Sequence, residues 1–241
     1  MEALGAAPAG SSGPSRLAAA GQDMVRRSPW ATVLLPSQLD TVLSEMQQRR
    51  VAAGQPVERC GEPVEHWMGI VDGFAKMSVA SSDGRLSTLT GVGPGVWFGE
   101  GSLLKRERRR YDVLAVRPST VALLPGEVFD WLRRTSFPFN HYLQDLLNAR
   151  LSLFIGTLEH DRLVDTDARV AHALSSLFNA DLYPGAALKV ELGQREIGLL
   201  ANVSRQRVNV ALHRLQRLGL IRQEKRGVTV LDLCGLRAFA G

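Results

Sequence analysis

Cysteine is scarce in this chain. Of 241 residues only Cys60 and Cys234 are cysteines. They make no Cys-x-x-Cys pair and no four-ligand set, which argues against a cysteine-bound iron–sulfur cluster and fits a reducing compartment. Each reads as a small buried or half-exposed residue rather than a sensor. Long apolar runs are missing too. None approaches the roughly 18 residues that a membrane span needs. The N-terminus lacks the apolar core of a signal peptide. The expected location is the cytoplasm, with no membrane partner. Catalytic signatures are also absent: there is no nucleophile–base motif, no P-loop and no cluster of metal ligands. The five histidines, His66, His141, His160, His172 and His213, are scattered and form no haem-ligand set. The expectation is a binding protein, with no catalytic residue and no metal.

What is present concentrates near the C-terminus, in Gln194–Leu218. Ile197, Leu200 and Ala201 are small or apolar at helical spacing, and Asn202-Val203 breaks the pattern. Ser204 supplies an N-cap oxygen for a second helix. In that helix Val208, Ala211, Leu212, Leu215 and Leu218 make one apolar stripe. Arg205, Gln206, Asn209, His213, Arg214 and Arg217 lie opposite. Arg, Gln and Asn can pair bidentately with base edges, and a Ser-capped helix start suits a phosphate. Leu220-Ile221-Arg222 and Gly227–Leu231 then flank the turn Gln223-Glu224-Lys225-Arg226 as a two-strand wing. An ordinary amphipathic helix would give the second helix alone. Short helix, tight turn, capped helix and basic hairpin in this order point to a DNA-reading winged helix-turn-helix. The DNA contacts expected are Ser204, Arg205, Gln206, Arg207, Asn209, His213, Lys225 and Arg226.

Charge agrees. Between Gln194 and Arg226 eight basic residues, Arg195, Arg205, Arg207, Arg214, Arg217, Arg222, Lys225 and Arg226, face two acidic ones, Glu196 and Glu224. The whole chain carries only +5, so the remainder is close to neutral. One-sided clustering of this kind attracts the phosphate backbone, whereas solubility does not require it.

A length of 241 residues is too great for a winged helix alone and allows about two domains. Residues 1–25 are rich in Ala, Gly, Ser and Pro and read as a tail that is disordered or weakly helical. Residues 26–136 open with short helices, one starting at Pro36-Ser37 with Leu39, Val42, Leu43 and Met46 on its apolar face. From Val51 to Pro125 short strands alternate with glycine turns, including a hairpin signal at Ser81-Ser82-Asp83-Gly84. That texture argues for a barrel-like or sandwich domain. Residues 137–163 read as a long helix on which Leu147, Leu151, Phe154 and Leu158 repeat at spacings of four, three and four. A helix buried in a monomer gives the same pattern. Its place between a β domain and a DNA head favours a dimer seam, which would present two heads to two half-sites. Residues 164–241 form the head, beginning with a helix that Asp165 starts and that turns Val170, Leu174 and Leu177 inward.

This order resembles the Crp/Fnr family of bacterial transcription regulators. The motifs that carry the resemblance are GEPVEHWMGIVDGFAKM (61–77), GVWFGEGSLL (95–104) and VSRQRVNVALHRLQRLGLI (203–221). The resemblance implies an α+β chain: an N-terminal cyclic-nucleotide-binding-like β-roll of jelly-roll type, a long dimerisation helix and a C-terminal winged helix-turn-helix. It further implies a homodimer on double-stranded DNA with a near-palindromic operator, and RNA polymerase as a partner. In cyclic-AMP-binding relatives a Gly-Glu pair is followed at fixed distance by Arg-Ser. Backbone N–H groups and the Arg hold the cyclic phosphate, and the Glu accepts from the ribose. By this resemblance the effector residues here are Gly99, Glu100, Arg110, Tyr111 and Phe154. Tyr111 stands where the family has Ser, and Phe154 and Ile155 fall where it has polar adenine contacts. Weak cyclic AMP binding, and a preference for a bulkier or more anionic nucleotide, are therefore expected. The run Lys105–Arg110 contains Arg106 and Arg110 at an Arg-x-x-x-Arg spacing of the kind seen in some cyclic di-GMP binders. The effector classes left open are a cyclic nucleotide and a cyclic dinucleotide. The alternative is an effector-independent regulator with a relict pocket, in which Glu100 and Arg110 pair internally.

Overall fold

The computed structural model of the protein describes residues 14–80, 86–161, 165–183, 188–225 and 227–239. The chain opens with helices α1 (Pro14–Arg27), α2 (Pro29–Thr32) and α3 (Pro36–Glu45). The expected tail is thus helical from Pro14 onward. Met24 and Val25 are buried near the end of α1 and give it an apolar attachment that the composition of the segment conceals. Strands β1 (Gln47–Val51), β2 (Pro56–Glu58), β3 (His66–Ala80), β4 (Leu86–Val92) and β5 (Trp97–Phe98) follow. Helix α4 (Glu100–Lys105), strand β6 (Asp112–Pro125) and helix α5 (Gly126–Thr135) complete the domain.

The sheet runs β1-β6-β3-β4, with β2 on β6 and β5 on β3, and every described pairing in it is antiparallel. The runs Trp67–Val71 and Ala75–Val79 are two halves of the single strand β3. Its register against β6 slips between Ile70 and Ala75. Gly73 sits in that slip at φ +98°, and a Cβ there would overlap Ser119. A left-handed φ with the opposing strand this close admits only glycine. The hairpin turn at Ser81–Gly84 lies outside the described residues.

One aromatic cluster joins the roll to its helices. Trp30 of α2, Trp67 of β3 and Trp97 of β5 lie 4.7–5.0 Å apart between ring centroids. Phe129 of α5 and Phe139 of the next helix pack on Trp67 at 5.3 and 5.8 Å. Four of these five rings are wholly buried, and Trp97 is nearly so. Most of the contacts are tilted or edge-on, the favoured aromatic geometry.

That next helix, α6 (Phe137–Asp161), leaves the roll and leads to the head. Phe139, Leu143 and Leu146 are buried against the roll, with Leu153 half-buried beyond them. Leu147, Leu151, Phe154 and Ile155 are exposed, Leu151 at 57 %. The Leu158 side chain lies outside the described residues.

The head contains α7 (Thr166–Ser176), β7 (Lys189–Val190), α8 (Gln194–Ala201), α9 (Arg205–Arg217), β8 (Ile221–Glu224), β9 (Gly227–Val230) and α10 (Leu233–Ala238). Asp165 caps α7, accepting from the amides of Asp167 and Ala168. Gln223 and Glu224 continue a strand rather than turning, and β7 adds a third strand, in the order β7-β9-β8. Val208, Ala211, Leu212 and Leu215 are buried, while Leu218 is exposed at the helix end. α7 packs on α6, and α8 packs on β4. Cys60 and Cys234 are both free and exposed, not buried.

If the aromatic cluster holds α6 to the roll, Phe139→Ala should cost roughly 3–5 kcal/mol. Urea unfolding checks this; a loss below about 1 kcal/mol would show that α6 is held by other contacts.

Candidate functional site

Two regions carry the candidate functional side chains: the edge of the roll facing α6, and the outer face of α9.

At the roll, Gly99 takes φ +96° and caps α4. A Cβ there would stand 2.7 Å from Arg109 Nη1, so glycine is what lets the two meet. Arg109, not Arg110, is therefore the buried cassette arginine. The backbone explains the choice within Arg108-Arg109-Arg110. Arg109 N donates to Glu62 O at 2.9 Å, and Gly61 N donates to Arg109 O at 2.8 Å. This two-way pairing aims one side chain inward and its neighbours out. Arg110 is exposed and pairs with Glu107 at 2.9 Å. Arg108 donates to Gly61 O, and Arg106 pairs with Asp130 at 3.4 Å. Arg106 and Arg110 thus turn to separate acids, Asp130 and Glu107.

The Arg109 side chain is completely shielded from solvent. Glu58 Oε2 lies 3.5 Å from Nη2, an ion-pair distance. The ring of Tyr111 lies beneath the guanidinium, 5.6 Å to its centroid. Beyond Glu58 and Tyr111, the Arg109 guanidinium has no hydrogen-bond acceptor among the described residues. Burial pushes the Glu58 carboxyl above its ordinary range, against the pull of Arg109 and Arg49.

Glu100 is buried as well, and its partner is Arg150 of α6, with Nε–Oε1 at 2.7 Å. Arg150 also donates to the Trp97 carbonyl. The second carboxylate oxygen of Glu100 has no hydrogen-bond partner among the described residues. Tyr111 and Tyr142 border this pair. Both phenols are raised above their ordinary range, first by burial and then by the Glu100 charge. The internal pair expected between Glu100 and Arg110 does not form. Phe154, expected as a pocket wall, is on the exposed face of α6; the inward positions are Arg150 and Leu153. Reading the heptad from Leu147 missed Arg150. Its signal was a lone arginine in the stripe Phe139, Leu143, Leu146, Arg150, Leu153.

At the head, α8 ends at Asn202 with φ +52°, and Val203 N returns to Gly198 O at 2.9 Å. A Cβ on Gly198 would stand 2.7 Å from the Val203 carbonyl, which keeps the turn tight. Ser204 Oγ accepts from Arg207 N at 3.3 Å, the capping bond expected. Ser204, Arg205, Gln206 and Asn209 line one open groove with Gln194. Gln194 Nε2 donates to Asn209 Oδ1 at 2.8 Å and was not foreseen as a site residue. His213 follows one turn on, its ring against the Asn209 carbonyl. Arg207 turns instead to Thr166 Oγ1 at 3.0 Å. Arg214 is half-exposed and turns back onto the head: it pairs with Asp167 at 3.0 Å and lies over the Phe239 ring. Lys225 is exposed at the wing turn, and Arg226 lies outside the described residues.

A buried Gly-Glu-Arg cassette and a capped reading helix in one chain now stand beside the comparisons. Residues 48–136 match the cyclic nucleotide-binding domain, and residues 168–239 match the Crp-like helix-turn-helix domain. The chain is 31 % identical to the cyclic AMP receptor protein of Thermus thermophilus, over 90 % of this chain and 98 % of that one. The chain belongs to the Crp/Fnr family of transcription regulators. It is 28 % identical to the CRP-like cAMP-activated global transcriptional regulator of Mycobacterium tuberculosis, over 82 % and 89 % of the two chains. A solved CRP-family transcriptional regulator of Thermus thermophilus matches with TM-score 0.56 at 27 % identity, over 80 % and 97 %. This Crp/Fnr regulator is a DNA-binding protein and not an enzyme. No helix among the described residues is long and apolar enough to cross a membrane.

Arg150→Met should leave the Glu100 carboxylate buried without a counter-charge, at a cost of about 3–5 kcal/mol. Denaturant unfolding would read it, and unchanged stability would mean that water already solvates Glu100.

Proposed function

We propose that this regulator binds a cyclic mononucleotide in the roll, pairs with a second copy through α6, and presents two heads to a near-palindromic operator. The observation that carries the effector reading is Arg109, a fully buried guanidinium whose N–H groups meet only Glu58, at 3.5 Å, and Tyr111, and so keep donors to spare. Leaving such donors unsatisfied is costly. A single cyclic phosphate supplies the matching charge-assisted acceptors. Glu100 keeps a free buried oxygen nearby to accept from a ribose hydroxyl. The Arg106–Asp130 and Arg110–Glu107 pairs favour one phosphate at this site over a dinucleotide. The exposed row Leu147, Leu151, Phe154 and Ile155 supports the dimer, because apolar side chains in line on one helix face favour burial against a partner. RNA polymerase in the cytoplasm is the machinery on which the bound regulator would act.

A thermal melt against cyclic AMP, cyclic GMP and cyclic di-GMP tests the effector. A mononucleotide should raise the midpoint with concentration, and Arg109→Ala should abolish the shift while Arg110→Ala retains it. A shift that survives Arg109→Ala would defeat this assignment. No shift with any nucleotide, alongside full operator affinity, would support the relict pocket.

On a selected operator, Arg205→Ala should cost roughly 1–3 kcal/mol and relax specificity. Lys225→Ala should weaken all sequences alike and reduce the salt slope. Leu151→Asp should sediment as monomer and lose palindrome binding. Intact discrimination in Arg205→Ala, or a dimeric Leu151→Asp, would relocate the reading face or the seam.

A further inference from the structure

The reading helix presents one apolar side chain where the rest of its outer face is polar. Successive residues of an α-helix turn by about 100°. On α9 the buried Val208, Ala211, Leu212 and Leu215 fix the inward face. Opposite them Gln206, Val210, His213 and Arg217 repeat at spacings of four, three and four. That spacing puts them in one outermost row. Among the described residues of α9, Val210 alone is both apolar and exposed, at 55 %. Its neighbours are engaged elsewhere. The Asn209 amide oxygen accepts from Gln194 of α8, and the His213 ring lies against the Asn209 carbonyl.

A single exposed valine on a protein surface needs no explanation. This one stands in the row that lies deepest when the helix enters a groove. A β-branched residue is also a poorer helix former than the Gln and Arg of the same row, so helix formation does not account for it. The major groove admits an α-helix, and thymine alone presents a methyl group there. Cytosine lacks the methyl, and the purines present polar edges that a valine would desolvate without pairing. We propose, on the reading of α9 as the DNA-facing helix, that Val210 selects thymine at one position of each half-site by packing its γ-methyl groups on the thymine methyl. The contact takes apolar atoms of both partners out of water.

Replacing thymine by uracil removes that methyl and leaves base pairing unchanged. An operator is selected from random DNA with the full-length protein, alone and with cyclic AMP, cyclic GMP or cyclic di-GMP. Each thymine of a half-site is then replaced in turn by uracil. Affinities are measured for the wild type, Val210→Ala and Arg205→Ala. Val210 is exposed, so alanine there leaves the packing of the head unchanged. Expected is one thymine per half-site whose methyl is worth about fourfold in affinity to the wild type, an advantage that disappears in Val210→Ala. A methyl advantage equal in the wild type and Val210→Ala, or no thymine whose methyl matters, overturns the inference. Loss of discrimination in Arg205→Ala then shows that the reading face itself stands. If neither substitution changes sequence preference, the reading face falls and the inference with it. Failure to enrich any sequence has the same result.

Discussion

The packing of α6 against the roll is the constraint on which the other arrangements depend. Trp30, Trp67, Trp97, Phe129 and Phe139 come from five elements and close into one cluster. Large rigid rings bury much apolar area with few rotatable bonds, so the cluster fixes angle as well as distance. Phe139 is near the start of α6, and Arg150 lies eleven residues, about three turns, further along. Once the first turn is held, helix geometry places Arg150 on Glu100. Had α6 docked with another face inward, Glu100 would be a buried carboxylate without a counter-ion, which is strongly unfavourable. Apolar packing thus makes the buried charges tolerable.

The charges in turn explain why the site is more than a core. Arg109 and Glu100 are each shielded from water, and each has one oppositely charged neighbour and unused hydrogen-bonding capacity. The neighbours come from different elements: Glu58 from β2 and Arg150 from α6. The effector proposed above, bound between them, would touch the roll and the long helix together. Tyr183 of the head separately reaches β4 of the roll through its hydroxyl. Roll and helix are therefore joined by a few polar groups in a poorly solvated space, where any change in charge or hydrogen bonding is felt strongly.

The head was the most legible part of the sequence. Its signals are local: the Ser204 cap, the Asn202 turn, the Val208–Leu215 stripe and the exposed Arg205, Gln206 and Asn209 depend on neighbours within a few residues. The roll was legible in kind, because glycine spacing and short apolar runs mark strands, but His66–Ala80 is one strand that runs through Gly73 rather than two separated by a glycine turn. The third head strand, Lys189–Val190, is too short to leave a period of its own. Helix α1 was concealed by alanine, glycine and serine, which say little about burial.

The sequence by itself determined the order of domains, the reading helix and its cap, the Gly99-Glu100 pair and the apolar row from Leu147 to Phe154. Each follows from periodicity or adjacency along the chain, which covalent geometry translates directly into a face, a cap or a turn. Only the tertiary structure decided which of three consecutive arginines turns inward, that Glu100 is met by Arg150, that Glu58 lies on Arg109, and that Tyr183 reaches β4. These are meetings between elements far apart in sequence. Three adjacent arginines are chemically identical until the loop carrying Glu62 pairs with the backbone of one of them. A tyrosine after a helix carries no mark of the strand it will touch, because that contact is set by how the packed bodies close on one another and not by spacing along the chain.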